Sequence, residues 1–359
     1  MNYLREVWYV AGWSDDVATG TSIARTLLGE SVALFRGSDG KIQALRNRCP
    51  HRFAPLARGA VVGDTLQCPY HGLRFDGSGQ CRFNPHGDGA IPRAAKVRSY
   101  PVVDRHSAIW IWMGTAANAN PDLIPDFSVI DADTNYVGKD YLAVRANYQL
   151  ETDNIMDLGH IAFLHPESLG NDVVREATTE VTQDRNTVWS KRQTYRETLP
   201  PALEAHYGSP PGTLWDRWFD VRWDPPASML LWVGSLPTGT PRTPDSKQIP
   251  FVHLFTPETA TTTHYWFATS YSRSMGPRYE ERAARDVKFL RAPFEAEDLP
   301  MLQAQQEAMG DEEFWDLKPV LLAGDAGAVR TRRILDKLIK DEHQAGSCAG
   351  PNGNSGAAA

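Results

Sequence analysis

Short apolar or alternating runs, each closed by Gly, Asp or Pro, dominate the first third of the chain. SVALFRG, LQCPYHGLRFD, VRSYPVVD and AIWIWMG are the clearest, and they predict the strands of a small all-β domain over residues 1–115. The next stretch, 116–127 (AANANPDLIPDF), has neither a helical nor a strand period and is rich in Ala, Asn and Pro, so it reads as an inter-domain connection. Beyond it the period changes. YQLETDNIMDLGHIAF has the spacing of a helix, TVWSKRQTYRET, SMLLWVG, FVHLFTP and THYWFATSYSR read as strands, and helical spacing returns from about Tyr279 to Lys340. The expected fold over 128–343 is therefore α+β, an antiparallel sheet with flanking helices. The low-complexity ending GSCAGPNGNSGAAA makes 344–359 an expected disordered tail, with Cys348 an unstructured thiol.

Bulk properties narrow the function. A chain of 359 residues suits one small and one larger domain. Hydrophobic residues make up 42% and charged residues 23%, and no apolar run approaches the roughly 18–20 residues of a membrane span. The opening MNYLREVWYVAGW lacks the apolar core and small-residue cleavage site of a signal peptide, so the expected location is the cytoplasm. The net charge of −7, with acidic and basic residues interspersed, argues against a nucleic-acid partner. Four cysteines, at 49, 68, 81 and 348, are too few for a disulfide scaffold of this size; where they cluster with histidines they point to metal.

That cluster is Cys49-Pro50-His51, then sixteen residues, then Cys68-Pro69-Tyr70-His71. Two thiolates and two imidazoles suit either zinc or a Rieske 2Fe-2S cluster. Each segment supplies one Cys and one His, which fits two similar loops clamping two irons, whereas zinc fingers generally pair Cys with Cys and His with His. Pro and Gly beside each ligand pair leave backbone N–H groups able to turn towards cluster sulfurs. Cys81 and His86 follow closely but are surplus to a four-ligand site, and Cys81 reads as a small core residue. The C-P-H-R and C-P-Y-H-G-L segments at this spacing resemble the motif of the Rieske non-haem iron oxygenases.

A cluster alone would make an electron carrier. The segment Asn154-Ile155-Met156-Asp157-Leu158-Gly159-His160-Ile161-Ala162-Phe163-Leu164-His165-Pro166 supplies a second candidate site. On an unbroken helix His160 and His165 would lie about 140° apart and could not share an ion. Pro166 pushes His165 out of helical geometry, so the helix is expected to end there and let His165 curl back towards His160, forming two corners of a facial triad. The carboxylate is open among Glu295, Glu297 and Asp298 in PFEAEDLPMLQAQQ.

Here the resemblance, which runs from REVWYVAGW to the late helices, implies more than the residues do alone. Its branch is the vanillate, dicamba and toluenesulfonate group of oxygenase components. It implies an N-terminal all-β Rieske domain, a helix-grip catalytic domain, and Asp298 as the iron carboxylate, with Glu295 as the fallback. Asp157, three residues before His160, is expected on the same helical face, and the resemblance implies that it carries electrons to the mononuclear iron from the cluster ligand His71 of a neighbouring subunit. Asn154 is placed near the iron, and His253 in FVHLFTPET as a substrate contact. Trp223, Trp232 and Trp266 stay unassigned, because strand aromatics are usually core.

The implied cofactors are a Rieske 2Fe-2S cluster and a mononuclear Fe(II), with O2 as co-substrate. The chain has no convincing G-x-G-x-x-G fingerprint and too few cysteines for a second cluster, so NAD(P)H acts only through a separate flavin and iron–sulfur reductase. The implied assembly is a homotrimer, and the implied reaction is O-demethylation or methyl hydroxylation of a substituted aromatic acid. The alternatives are a ring cis-dihydroxylating dioxygenase, a Rieske electron carrier and a zinc-stabilised binding protein.

Overall fold

The computed structural model describes residues Tyr3–Cys348. The expected N-terminal strands form three small antiparallel sheets. Trp8–Trp13 pairs with Ala108–Trp112, which pairs with Val102–Arg105. Ser22–Leu27, Glu30–Arg36, Ile42–Arg46 and Ser99–Tyr100 make the second sheet. The third, Ala60–Val62, Thr65–Gln67, Arg74–Asp76 and Cys81–Phe83, carries the ligand loops. LQCPYHGLRFD is thus two strands separated by a loop, because Cys68–His71 turns back on itself and Gly72 takes a positive φ.

The larger unit is a seven-stranded antiparallel sheet in the order Asn135–Val144, Thr263–Ser272, Gln248–Pro257, Ser228–Pro237, Leu214–Asp224, Thr187–Thr198, Thr178–Asp184. One face buries Phe219, Val221, Trp223, Phe255 and Phe267 against the helices Tyr148–Met156, Arg278–Pro293 and Ala326–Cys348. The opposite face buries Leu230, Val252, Leu254 and Trp266 against Trp8, Trp110 and Trp112 of the N-terminal sheets. A sheet covered on both faces needs near-continuous apolar strands, and Thr263–Tyr271 is buried at every position.

The connection joins this interface. Phe127 is fully buried in it, and Trp8 Nε1 donates to the Asn120 carbonyl at 2.8 Å. Thr256 Oγ1 donates to the Val10 carbonyl at 2.7 Å and Trp13 Nε1 to that of Asp140 at 3.0 Å, so the two units are stitched by backbone acceptors as well as by packing.

Two sequence expectations change here. The helix of YQLETDNIMDLGHIAF stops at Met156, and a 3-10 turn at Leu158–His160 and a short helix at Ile161–Leu164 follow. The final helix continues through Cys348, so residues 344–348 of the expected tail are helical and 349–359 lie outside the described residues. None of the described helices is long and apolar enough to cross a membrane.

Candidate metal centres and cavity

The two Cys-His segments fold into nearly repeating loops. Cys49 N donates to the Ala54 carbonyl at 2.9 Å and Cys68 N to that of Leu73 at 2.7 Å, five residues on in each case. The return bonds run from Phe53 N to Cys49 O and from Gly72 N to Cys68 O, four residues on, and both Phe53 and Gly72 have positive φ. This duplication gives each loop one buried thiol beside one imidazole. Cys49 and Cys68 are 2% exposed and their thiols are within hydrogen-bonding reach of each other, while the His51 and His71 rings meet edge to face at 4.5 Å.

Backbone N–H groups of His51 and Arg52 donate to the Cys49 sulfur. Burial outweighs them and pushes this thiol up to about 11, so cluster assembly displaces a proton here. His71 Nδ1 is buried without a hydrogen-bond partner. Two converging sulfurs, two imidazoles on one side and an orphaned ring nitrogen fit a Rieske cluster. Cys81 is buried in the core behind the loops, whereas His86 Nε2 lies 2.8 Å from the His71 carbonyl, a contact that spacing did not reveal.

The second site lies under the seven-stranded sheet. His160 Nε2, His165 Nε2 and Asp298 Oδ1 come together, and the ligand atoms of the three residues lie within 4.8 Å of one another. Asp298 Oδ1 is the shared point, 3.1 Å from His165 Nε2, 3.6 Å from His160 Nε2 and 2.9 Å from Asn154 Nδ2. The helix does end where Pro166 requires, with His165 as the first residue past Leu164. Asp298 closes a π turn, Phe294–Asp298, interposed between Arg278–Pro293 and Leu299–Met309. Such widened turns are common at functional sites.

Each imidazole is oriented by its other nitrogen, as metal-binding histidines require. His160 Nδ1 lies 2.7 Å from the Asp157 carbonyl. His165 Nδ1 is hydrogen-bonded to the Glu297 carboxylate, which Ser168 Oγ also engages at 2.8 Å. Glu297, one of the three acids left open by sequence, therefore faces the back of His165 while Asp298 faces its front. Burial lowers His165, but Asp298 and Glu297 outweigh it and the net shift is upward. For His160 burial prevails over Asp298, and its affinity for a proton falls. Two imidazoles and one carboxylate converging on one point fit the donor set that would hold a non-haem Fe(II) and leave positions open for O2. Glu295 is instead tied to Arg291 by the pair at 3.0 Å.

Asp157 departs from the expected geometry. Because the helix breaks at this residue (φ −114°, ψ 93°), it does not share a helical face with His160. Its backbone carbonyl meets His160, while its carboxylate caps Gly159 N at 2.9 Å and pairs with Arg192 Nη2 at 3.1 Å. Arg192 is buried and also donates to the Val174 carbonyl. It lies on a strand remote in sequence, and no local motif announces it.

An apolar cavity opens from the triad, walled by Ile155, Leu231, Phe251, Phe289, Leu290 and Phe294, with Asn154 and His253 among its polar residues. His253 is 2% exposed, its Nδ1 lies 2.7 Å from the Tyr265 hydroxyl, and its Nε2 is without a partner. Burial pushes the ring down to about 3, so it is neutral. Trp223 and Trp266 are fully buried core residues, and Trp232 faces a groove elsewhere.

A Rieske domain packed against a helix-covered sheet with this triad defines the Rieske non-haem iron oxygenases. Comparison with known proteins narrows the class. Residues 7–101 match the Rieske [2Fe-2S] domain, and residues 144–341 match the vanillate O-demethylase oxygenase C-terminal domain. The chain is 38% identical to the dicamba O-demethylase oxygenase component of Stenotrophomonas maltophilia, over 94% of this chain and 98% of that protein. It is 34% identical to the chloroacetanilide N-alkylformylase oxygenase component of Rhizorhabdus wittichii, over 95% and 97%. Crystal structures of dicamba monooxygenase superpose at 35% identity with TM-scores of 0.85 (bound to dicamba) and 0.75 (with non-heme iron and dicamba), each covering 96% of this chain and 100% of that one. The chain belongs to the vanillate and dicamba O-demethylase branch of the Rieske oxygenases, and it is a non-haem iron monooxygenase with a 2Fe-2S cluster.

Proposed function

We propose that the chain is the oxygenase component of a multicomponent system that hydroxylates an O-methyl or ring methyl carbon of a substituted aromatic acid. The observation that carries this reading is the His160–His165–Asp298 triad at the head of an apolar, ring-lined cavity. The relatives named as oxygenase components support a separate reductase, which would draw on NAD(P)H. Cys49, Cys68, His51 and His71 would hold the cluster, and the triad an Fe(II) that supplies O2 activation. An aryl methyl ether, O2, two electrons and two protons give the hemiacetal and water. The hemiacetal then breaks its C–O bond, releasing formaldehyde and a phenol.

The protein's part is positional. The Asp157 carbonyl and Glu297 fix the two imidazoles, and the phenylalanine and leucine walls keep bulk water from the reacting carbon. Asn154 flanks the open side of the triad. Tyr265, whose hydroxyl burial keeps protonated, can donate to His253 Nδ1; this leaves Nε2–H to face the acid group of the substrate. We assign the assembly as a homotrimer in the cytoplasm. Purified protein should contain about three irons per chain, from one cluster and one mononuclear site, and should release formaldehyde from methoxylated aromatic acids with a generic reductase. Two irons per chain, or a diol product, would overturn the assignment.

A further inference from the structure

The cavity has a second polar end that methyl hydroxylation leaves unused. Asp286 lines it from the helix Arg278–Pro293 and is 4% exposed. Asp286 and Asp298 sit twelve residues apart on one continuous helical run. At about 1.5 Å per residue they are separated by about 18 Å along the axis. Both carboxylates line the one cavity, so a substrate with its methyl group at the triad directs its opposite end along this helical run towards Asp286.

The far end is built as an acceptor. Asp286 Oδ2 is held by the Tyr271 hydroxyl and by Arg282 Nε at 3.3 Å. Oδ1 has no in-line hydrogen bond, although His206 Nε2 lies 3.1 Å and Arg285 Nε 3.5 Å from it. Burial raises the carboxyl, but the surrounding His206, Tyr271 and Arg282 outweigh it and hold Asp286 below the usual carboxylate range. His206 stacks on Phe289 with ring centroids 4.1 Å apart, which fixes the side wall. The cavity's arginine, Arg217, is committed elsewhere, with Nε 3.0 Å and Nη2 2.8 Å from the buried Glu197. Arg282 and Arg285 are already paired with Asp286 itself, so an anion at this end would have to compete with that carboxylate for its cations, whereas a hydroxyl, amide or amine N–H would complete Oδ1.

We propose that Asp286 is a specificity-determining residue, whose Oδ1 accepts a hydrogen bond from a donor group at the end of the aromatic substrate remote from its methyl group. This rests on the oxygenase reading, which places the methyl group at the triad. The test compares three aryl methyl ethers on one common skeleton, carrying hydroxyl, hydrogen or carboxylate at the end remote from the methoxy group, by calorimetry on the anaerobic protein loaded with both metal centres. The hydroxyl compound should bind about tenfold or more tightly than either of the others, the scale of one hydrogen bond to a charged acceptor. In Asp286→Asn the gap between hydroxyl and carboxylate should shrink to about threefold or less as the charge is lost.

Carboxylate binding as tight as hydroxyl in the wild type would overturn the proposal and make His206 the recognising group. Equal or undetectable binding of all three would also overturn it. If Asp286→Asn does not fold, the wild-type series alone decides. Binding is read without turnover, so ordered binding with no formaldehyde on admitting O2 and reductase would sink the demethylase reading and leave this one standing.

Discussion

His165 shows how a single residue converts sequence into chemistry. Pro166 ends the helix behind it, its Nε2 turns to Asp298, and its Nδ1 is tied to Glu297. His160→Ala should remove the mononuclear iron and turnover but keep the brown cluster, because the two sets of candidate ligands lie on different domains; iron counting and the visible spectrum check both halves. Loss of the cluster from a folded variant would refute that separation. A second residue, Glu151, is buried beside this site with Oε1 unpartnered, and burial, reinforced by Asp298, raises its carboxyl to about 8. Its folded-state value lies above the ordinary 4.5. Between about pH 4.5 and 8 the unfolded chain releases this proton while the folded chain keeps it, so stability falls as pH rises. Glu151→Gln should lack that component and gain up to a few kcal/mol over wild type by pH 8, since each pH step in which only the folded chain holds the proton costs about 1.4 kcal/mol. Urea melts of chelator-treated protein at pH 5 and pH 8 measure it, and an equal difference at both would contradict it.

At the scale of elements, much was legible. TVWSKRQTYRET is a strand over its whole length, and the repeated Cys-His segments do fold into repeated loops. Less legible was where a helix gives way without a proline. The break at Asp157 needs Arg192 and Gly159 to hold its carboxylate, and Arg192 comes from a strand thirty-five residues on. The choice among Glu295, Glu297 and Asp298 was equally hidden, because the π turn lets consecutive acids meet opposite edges of one imidazole, a geometry that helical periodicity does not encode. The cluster-bearing sheet also depends on a close approach that sequence does not mark. A Cβ on Gly59 would lie 1.7 Å from the carbonyl oxygen of Gln67, the residue before Cys68. Gly59→Ala should therefore pry the strands Ala60–Val62 and Thr65–Gln67 apart, at a cost of about 1–3 kcal/mol or more. The expected result is loss of cluster colour with mononuclear iron retained. A variant with full cluster content would show that the hairpin can relax.

For the whole molecule the question is where the electrons cross. The cluster tip is exposed, with Phe53 at 68% and Tyr70 at 63% beside His51 and His71, and the flank near Asp157 exposes Phe163 and Leu322, both at 71%. Two different apolar patches on one chain suit a head-to-tail contact, and head-to-tail contacts close into rings when the rotation permits. In such a ring the cluster of one protomer serves the iron of the next. Two inactive variants then become partners: Cys68→Ala keeps the iron but not the cluster, and His160→Ala keeps the cluster but not the iron. Mixed in equal amounts and allowed to exchange, they should recover activity at about a quarter of the interfaces, the share at which a cluster-bearing chain precedes an iron-bearing one. Transfer confined within one chain would give none. Asp157 can be placed in the same experiment. It adjoins His160 on the iron-bearing side, so Asp157→Asn added to the Cys68→Ala chain should abolish the recovered activity with both metals in place. The same change added to the His160→Ala chain should leave the activity intact, because that chain's own iron site is already silent. Equal losses on both sides would reduce Asp157 to a support for its own backbone turn and remove it from the electron path.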